Sequence, residues 1–246
     1  MTVSGVRFSI AADAAWAPGL ETKDAWLAWA HGDSVIAGSD EPALRAMAPM
    51  LRRRAGFLGR MALEVAYQCL GSSIDVPTVF SSRHGEAGRS VNLLLDLARG
   101  LPLSPTSFGL SVHNATGGLF SIARGDHASN SALAAGASGT EHGVIEACGL
   151  LAEGEPRVLL VVYDCPLPAL YGEFQDCREQ PYAWAWLMQS PADAVVSLTW
   201  SGSATDASPS KERLPAGLEI LRFHLREDLA LERICDRRRW LWTRHV

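Results

Sequence analysis

The stretch Ser129–Asp164, SNSALAAGASGTEHGVIEACGLLAEGEPRVLLVVYD, decides the fold. A short apolar lead reaches Gly136-Ala137-Ser138-Gly139, and a helical pattern follows. From Gly139 to Glu153, Val144, Ala147, Cys148 and Leu151 recur at the three-to-four spacing of one helix face. Gly154 ends the pattern. Val158 to Tyr163 is then an unbroken apolar run, as a strand needs when helices cover both of its faces. A strand, a glycine-bearing turn and a helix, in that order, present a side chain at a helix N-terminus. Backbone N–H groups and the helix dipole there favour an anion or an ionised nucleophile. The tip of this turn offers glycine and alanine instead.

Strands and helices alternate on either side. Val3 to Ile10 alternates apolar and polar residues and predicts a strand, as do Pro77–Ser82, Tyr182–Met188 and Ala194–Trp200. Helical spacing covers Glu41–Met50, then Gly59–Tyr67, where Met61, Val65 and Leu58 share a face, then Gly85–Leu97 until Leu101-Pro102-Leu103-Ser104-Pro105 breaks it. Trp26 and Trp29, in Asp24–Ala30, belong to a helical turn or, equally, to a surface groove. The small residues of Ser111–Ala123, with the pair Gly117-Gly118, predict a helix pressed against another backbone. Ser201–Ser210 reads as a loose polar segment, Leu218–Leu225 as a short helix, and Arg237–Trp242 as a basic, tryptophan-rich end. Such alternation predicts a layered α/β fold. We divide the chain into a domain over residues 1–202 and an extension, 203–246, packing on that domain or on a partner.

The chain has 246 residues, 48% hydrophobic and 20% charged, with a net charge of −5, a profile of globular proteins long enough to bury a full core. Its densest basic cluster, Leu51-Arg52-Arg53-Arg54, is too short for a nucleic-acid footprint and reads as a solvated helix face. Five widely spaced cysteines form no Cys-x-x-Cys pair or Cys/His cluster, so neither metal nor cofactor is expected, and the thiols are expected reduced. The N-terminus lacks the basic start and apolar core of a signal peptide, and no window spans a membrane. These readings point to the cytoplasm.

The segment from Ser111 to Asp164 resembles the β-ketoacyl synthases, the condensing enzymes of the thiolase fold. Ser111, Asn114 and Gly118 approximate the family's S-x-x-N-x-x-x-G segment, and Ala135 to Gly139 fall on its A-C-x-S-G turn. The likeness runs over roughly residues 1–200, the N-terminal half of a ketosynthase. It implies that Gly136 stands where the family carries its nucleophilic cysteine. That chemistry moves an acyl chain onto the thiol as a thioester, and glycine has nothing to acylate. The resemblance also implies missing histidines, since His224 and His245 lie in neither H-G-T-G-T nor G-H contexts.

Within the family, Arg60–Glu64 (RMALE) and Ser111–Ala115 (SVHNA) resemble the short chain-length-factor-like proteins of aryl polyene and xanthomonadin-type pigment clusters. The resemblance implies a non-catalytic subunit paired with an active β-ketoacyl synthase and, through that complex, an acyl carrier protein. It further implies a contribution to the acyl tunnel from the helix after Ser82, by Ala87, Val91 and Leu94; as plain residues, Val91 and Leu94 are equally core. Ser111, His113, Asn114, Gly117 and Gly118 are the expected interface, since a half-fold leaves apolar surface for a partner. Two alternatives stay open. One is a divergent acyltransferase or hydrolase using Ser138 or Cys165, the other an acyl-binding scaffold without a ketosynthase. Ser138 itself is expected to cap the helix.

Overall fold

The structure, a computed structural model, describes residues 4–205, 210 and 212–245, so Val3 and part of Ser201–Ser210 lie outside it. Its frame is one sheet of eight strands. In chain order these are β1 (Ser4–Trp16), β2 (Thr78–Ser81), β3 (Asn130–Leu133), β4 (Arg157–Asp164), β5 (Tyr182–Gln189), β6 (Val195–Gly202), β7 (Ala230–Cys235) and β8 (Arg238–His245). Across the sheet they run β3-β2-β4-β5-β1-β6-β8-β7. β2 is parallel to β3 and β4, and every other neighbour is antiparallel.

The predicted central strand is an interior one. β4 lies between β2 and β5, and every residue from Val158 to Asp164 is buried. Its side chains alternate between two cores, one on each face of the sheet. Val158, Leu160 and Val162 join the core under α7 (Gly139–Ala152), whereas Leu159, Val161 and Tyr163 join the core under α3 (Phe57–Leu70). Gly143 lets α7 approach closely, since a Cβ there would stand 2.9 Å from Leu160 Cδ1. This mixed sheet with buried helices is the layered α/β fold that the sequence predicts.

The structure settles two open sequence readings and corrects a third. Trp26 and Trp29, on α1 (Lys23–His31), are core residues and line no surface groove. Between Glu41 and Met50, helix begins only with α2 (Pro49–Arg52). There Leu44 takes a φ of +45° and its N–H goes to the Glu64 carboxylate at 2.8 Å, which replaces a helical carbonyl. The tryptophan-rich end is the strand β8, paired with β6 and β7, and Trp240 and Trp242 are fully buried in the α7-side core. The remaining helices are α4 (Ala87–Ala98), α5 (Pro105–Gly109), α6 (Ala115–Arg124) and α8 (Ala216–Leu225). Among the described residues no helix is long and apolar enough to cross a membrane.

Candidate functional site

β3 ends at Leu133, two alanines follow, and the chain reverses at Gly136 with a φ of +54° before a short 3-10 turn feeds α7. That φ favours glycine over residues with a Cβ. Crowding does not, because a Cβ at Gly136 would meet no heavy atom within 4 Å. Gly136 is exposed at the tip. The turn is held from beneath: β2 and β3 pair Ser81 with Leu133, and the Ser81 hydroxyl donates to the Gly139 carbonyl at 2.9 Å.

Ser138 occupies the N-cap position of α7 but does not cap it. Its backbone (φ −106°, ψ 22°) lacks the extended conformation that lets a cap oxygen reach the next N–H groups. Its hydroxyl donates instead to Asp236 Oδ2 at 2.6 Å, on the turn between β7 and β8. Ser138 is only 1% exposed. His142 gives it no base: Nδ1 sits 2.9 Å from the Ser138 carbonyl and Nε2 3.2 Å from Arg238 Nη1. From β7, Arg233 reaches Glu141 and Glu219, and its Nη2 donates to the Ala137 carbonyl at 3.2 Å. The C-terminal hairpin thus fastens the turn. Nothing local in the sequence marks Asp236 or Arg233 as its partners, which lie nearly a hundred residues away.

Behind the turn, Asp164 closes β4. Ser82 Oγ and the Arg83 N–H each donate to its Oδ1 at 2.9 Å, and the Tyr182 hydroxyl lies 3.3 Å from Oδ2. Burial still wins and raises its pKa to about 6. The Cys165 thiol beside it is pushed up by burial, then by the Asp164 and Glu86 charges. Burial also raises Cys148 to about 12. Both therefore stay thiols near neutral pH, whereas the nucleophile is a thiolate.

A groove of about 440 Å³ opens between the start of α3, the start of α4 and Cys165–Leu167. Phe57, Leu58, Ala87 and Leu167 line it together with His84 and Glu86. Ala87 alone of the three tunnel candidates contributes to it; Val91 is buried, and Leu94 is exposed farther along α4.

The interface candidates separate in the same way. Gly117 packs inside the chain, where a Cβ would stand 2.4 Å from Asn130 Oδ1. Gly118 has open space around it. His113 Nε2 lies 2.8 Å from the Leu133 carbonyl, and its ring lies against Gly85. Ser111 is half-buried and Asn114 exposed.

The model of the family described as beta-ketoacyl synthase, N-terminal domain, matches residues 26–243. Comparison with curated protein sequences finds no match. Among solved structures, a chain from the complex of ketosynthase (ApeO) with its chain length factor (ApeC) from Xenorhabdus doucetiae is 27% identical. The likeness covers 97% of this chain and 99% of that one, with a TM-score of 0.84. A chain of the ishigamide ketosynthase/chain length factor is similar over 98% and 99%, at 11% identity and a TM-score of 0.72. A chain of AntDE:AntF, a type II PKS acyl-carrier protein in complex with its ketosynthase, is similar over 97% and 98%, at 9% identity and a TM-score of 0.67. These last two are likenesses of fold alone. The layered sheet is the thiolase-like ketosynthase fold, and, matched from α1 to β8, the chain belongs to the β-ketoacyl synthase N-terminal domain family.

Proposed function

We propose that this chain is a chain length factor, the non-catalytic partner of an active β-ketoacyl synthase that elongates carrier-bound acyl chains of aryl polyene, polyketide or fatty-acid-like type. The observation that carries this reading is the exposed tip of the turn, where Gly136 offers no atom to acylate. Condensation by this family's route needs a thiolate to accept the acyl group and bases to drive decarboxylation. His224 Nε2, on α8, lies 3.7 Å from Asp13 Oδ1 on β1, and His245 Nε2, on β8, lies 2.9 Å from Ser197 Oγ on β6, so each is engaged with a residue other than those of the turn. The subunit acts through shape: it keeps the turn, holds its hairpin against it, and lends the groove beside Ala87 to the acyl chain bound by the partner. In this reading the pair works in the cytoplasm with its acyl carrier protein.

A hydrolase or acyltransferase built on Ser138 has the short Asp236 contact in its favour. The burial of that hydroxyl and the absence of an imidazole nitrogen on it weigh against the idea.

Intact-protein mass spectrometry, after incubation of both subunits with an acylated carrier protein, tests the proposal. The acyl mass is expected on the ketosynthase and absent from this chain. A stoichiometric adduct on this chain would overturn the non-catalytic reading.

A further inference from the structure

Two arginines from the end of α8 converge on the end of α1. Arg222 and Arg226 are one helical turn apart and share a face. Arg222 lies over the Trp29 ring, 4.7 Å from its centroid, and its Nη2 donates to the Gly32 carbonyl at 3.3 Å. Arg226 Nε donates to the Ala30 carbonyl at 2.5 Å. A third arginine, Arg178, joins them from the segment between β4 and β5. Burial lowers the pKa of Arg222, and the charges of Arg226 and Arg178 lower it further against the pull of Asp33 and Glu219. All three arginines are half-buried, and among the described residues none of them makes an ion pair.

Helix ends explain part of this. The C-terminus of a helix carries roughly half a negative charge, and α1 and α8 both end here. Asp33 adds a full charge, whereas Glu219 is taken by Arg213 and Arg233 at 3.1 and 2.8 Å. The three guanidiniums exceed that sum. In a chain of net charge −5, gathering cations where they repel one another is unfavourable unless an anion lies between them. Donors are left over as well. Each guanidinium presents a planar fork of N–H groups; Arg222 and Arg226 each spend one on a backbone carbonyl, and the Arg178 side chain spends none among the described residues. The buried Nε atoms of Arg178 and Arg222 have no partner there, although buried donors in native proteins are nearly always satisfied.

We infer that Arg178, Arg222 and Arg226 form a binding site for a phosphate group. Donors reach it from α8 and from the β4–β5 segment, so they surround an anion with oxygens on several sides, which phosphate has and a planar carboxylate lacks. The Trp29 ring fixes the plane of the Arg222 fork before any ligand arrives, which lowers the ordering cost of binding. The site lies at the opposite end of α8 from Gly217, which lines the small cavity shared with Gly136. It shares no residue with that cavity or with the groove beside Ala87, and it does not depend on the function proposed above. A bound phosphate ties α1, α8 and the β4–β5 segment together and stabilises the fold by mass action.

The test titrates the full chain, dialysed free of phosphate, with sodium phosphate and separately with AMP, at constant ionic strength with chloride as the balancing anion. Calorimetry is expected to show saturable binding at one site, and the melting temperature should rise with the bound anion. Arg178→Gln, which removes no side-chain hydrogen bond among the described residues, should melt as before in chloride and weaken binding by about 10-fold or more, the loss of one charge-assisted contact. Arg222→Gln should weaken it likewise. Arg157→Gln, at an exposed position starting β4, should leave it unchanged. Whichever anion binds more tightly identifies the source, the free ion or a phosphate monoester. NMR of the arginine Nε–H groups requires no variant to fold: in the unmodified chain the Arg178 and Arg222 signals should shift with the anion. Signals that stay still while binding occurs overturn the inference. So does binding that Arg178→Gln and Arg222→Gln both leave intact, and so does the lack of saturable binding by either anion.

Discussion

Arg233 on β7 closes on Glu141 in the first turn of α7, and the two side chains are 5% and 0% exposed. Burial disfavours the charged guanidinium, but Glu141 and Glu219 outweigh it and hold its pKa above the ordinary value. Removing one member strands a buried charge. Arg233→Met is therefore expected to cost about 3–5 kcal/mol, and the double variant Arg233→Met with Glu141→Leu much less than the sum of the single changes. Urea unfolding of the three variants measures this.

Asp164 sets a pH dependence. Its folded pKa of about 6 stands above the unfolded value near 3.8, so folding favours the protonated carboxyl. Its contribution is complete below pH ~4 and is lost as pH rises through about 6, by up to about 3 kcal/mol. Carboxylates with lowered pKa, such as Asp176 held by Arg83, act in the opposite sense. The difference between the chain and Asp164→Asn isolates the term: the variant should gain relative stability from pH 4 to pH 7 in urea titrations.

Two neighbouring glycines of α6 should respond with opposite signs. At Gly117 a Cβ collides with Asn130, whose amide holds Thr78 Oγ1 at 2.6 Å. Gly117→Ala should destabilise, by about 1–3 kcal/mol. Gly118→Ala meets nothing within 4 Å and should stabilise the helix by roughly 0.5–1 kcal/mol. Thermal melts of both variants read the two signs.

Much of this was legible in the sequence. The α7–β4 unit follows from one apolar run and one three-to-four repeat, and both cores grow around it. The final hairpin was not. In Arg238-Arg239-Trp240-Leu241-Trp242-Thr243-Arg244, arginines mask an alternation that puts Trp240 and Trp242 inward and leaves Leu241 half-buried. The turn at Gly136 was readable as a shape, but what holds it comes from β7 and from the β7–β8 turn, a long-range contact no local pattern announces.

That alternation is itself testable. Trp240→Ala should cost about 3–5 kcal/mol, as large aromatic deletions in a core do. Leu241→Ala should cost about 1 kcal/mol or less. Equal effects, measured by chemical denaturation, would contradict the inward–outward register of β8.

Restoring a thiol at the tip would not restore condensation. Gly136→Cys should fold, at roughly 1–2 kcal/mol for a left-handed residue with a Cβ, and meets no steric obstacle. The product should be at most a slow, dead-end acyl adduct, visible by mass spectrometry without release of an elongated chain.

β1 carries a consequence for the birth of the molecule. It is hydrogen-bonded on one side to β5 and on the other to β6, with Ser9 opposite both Gln189 and Val195. β1 therefore has no partner until β5 and β6, which begin beyond residue 180, have been translated, roughly 10–40 s later at ordinary elongation speeds. During that interval the apolar side chains of Val6, Phe8 and Ile10 are unclaimed, so nascent chains should depend on holding chaperones until the strands beyond residue 180 emerge.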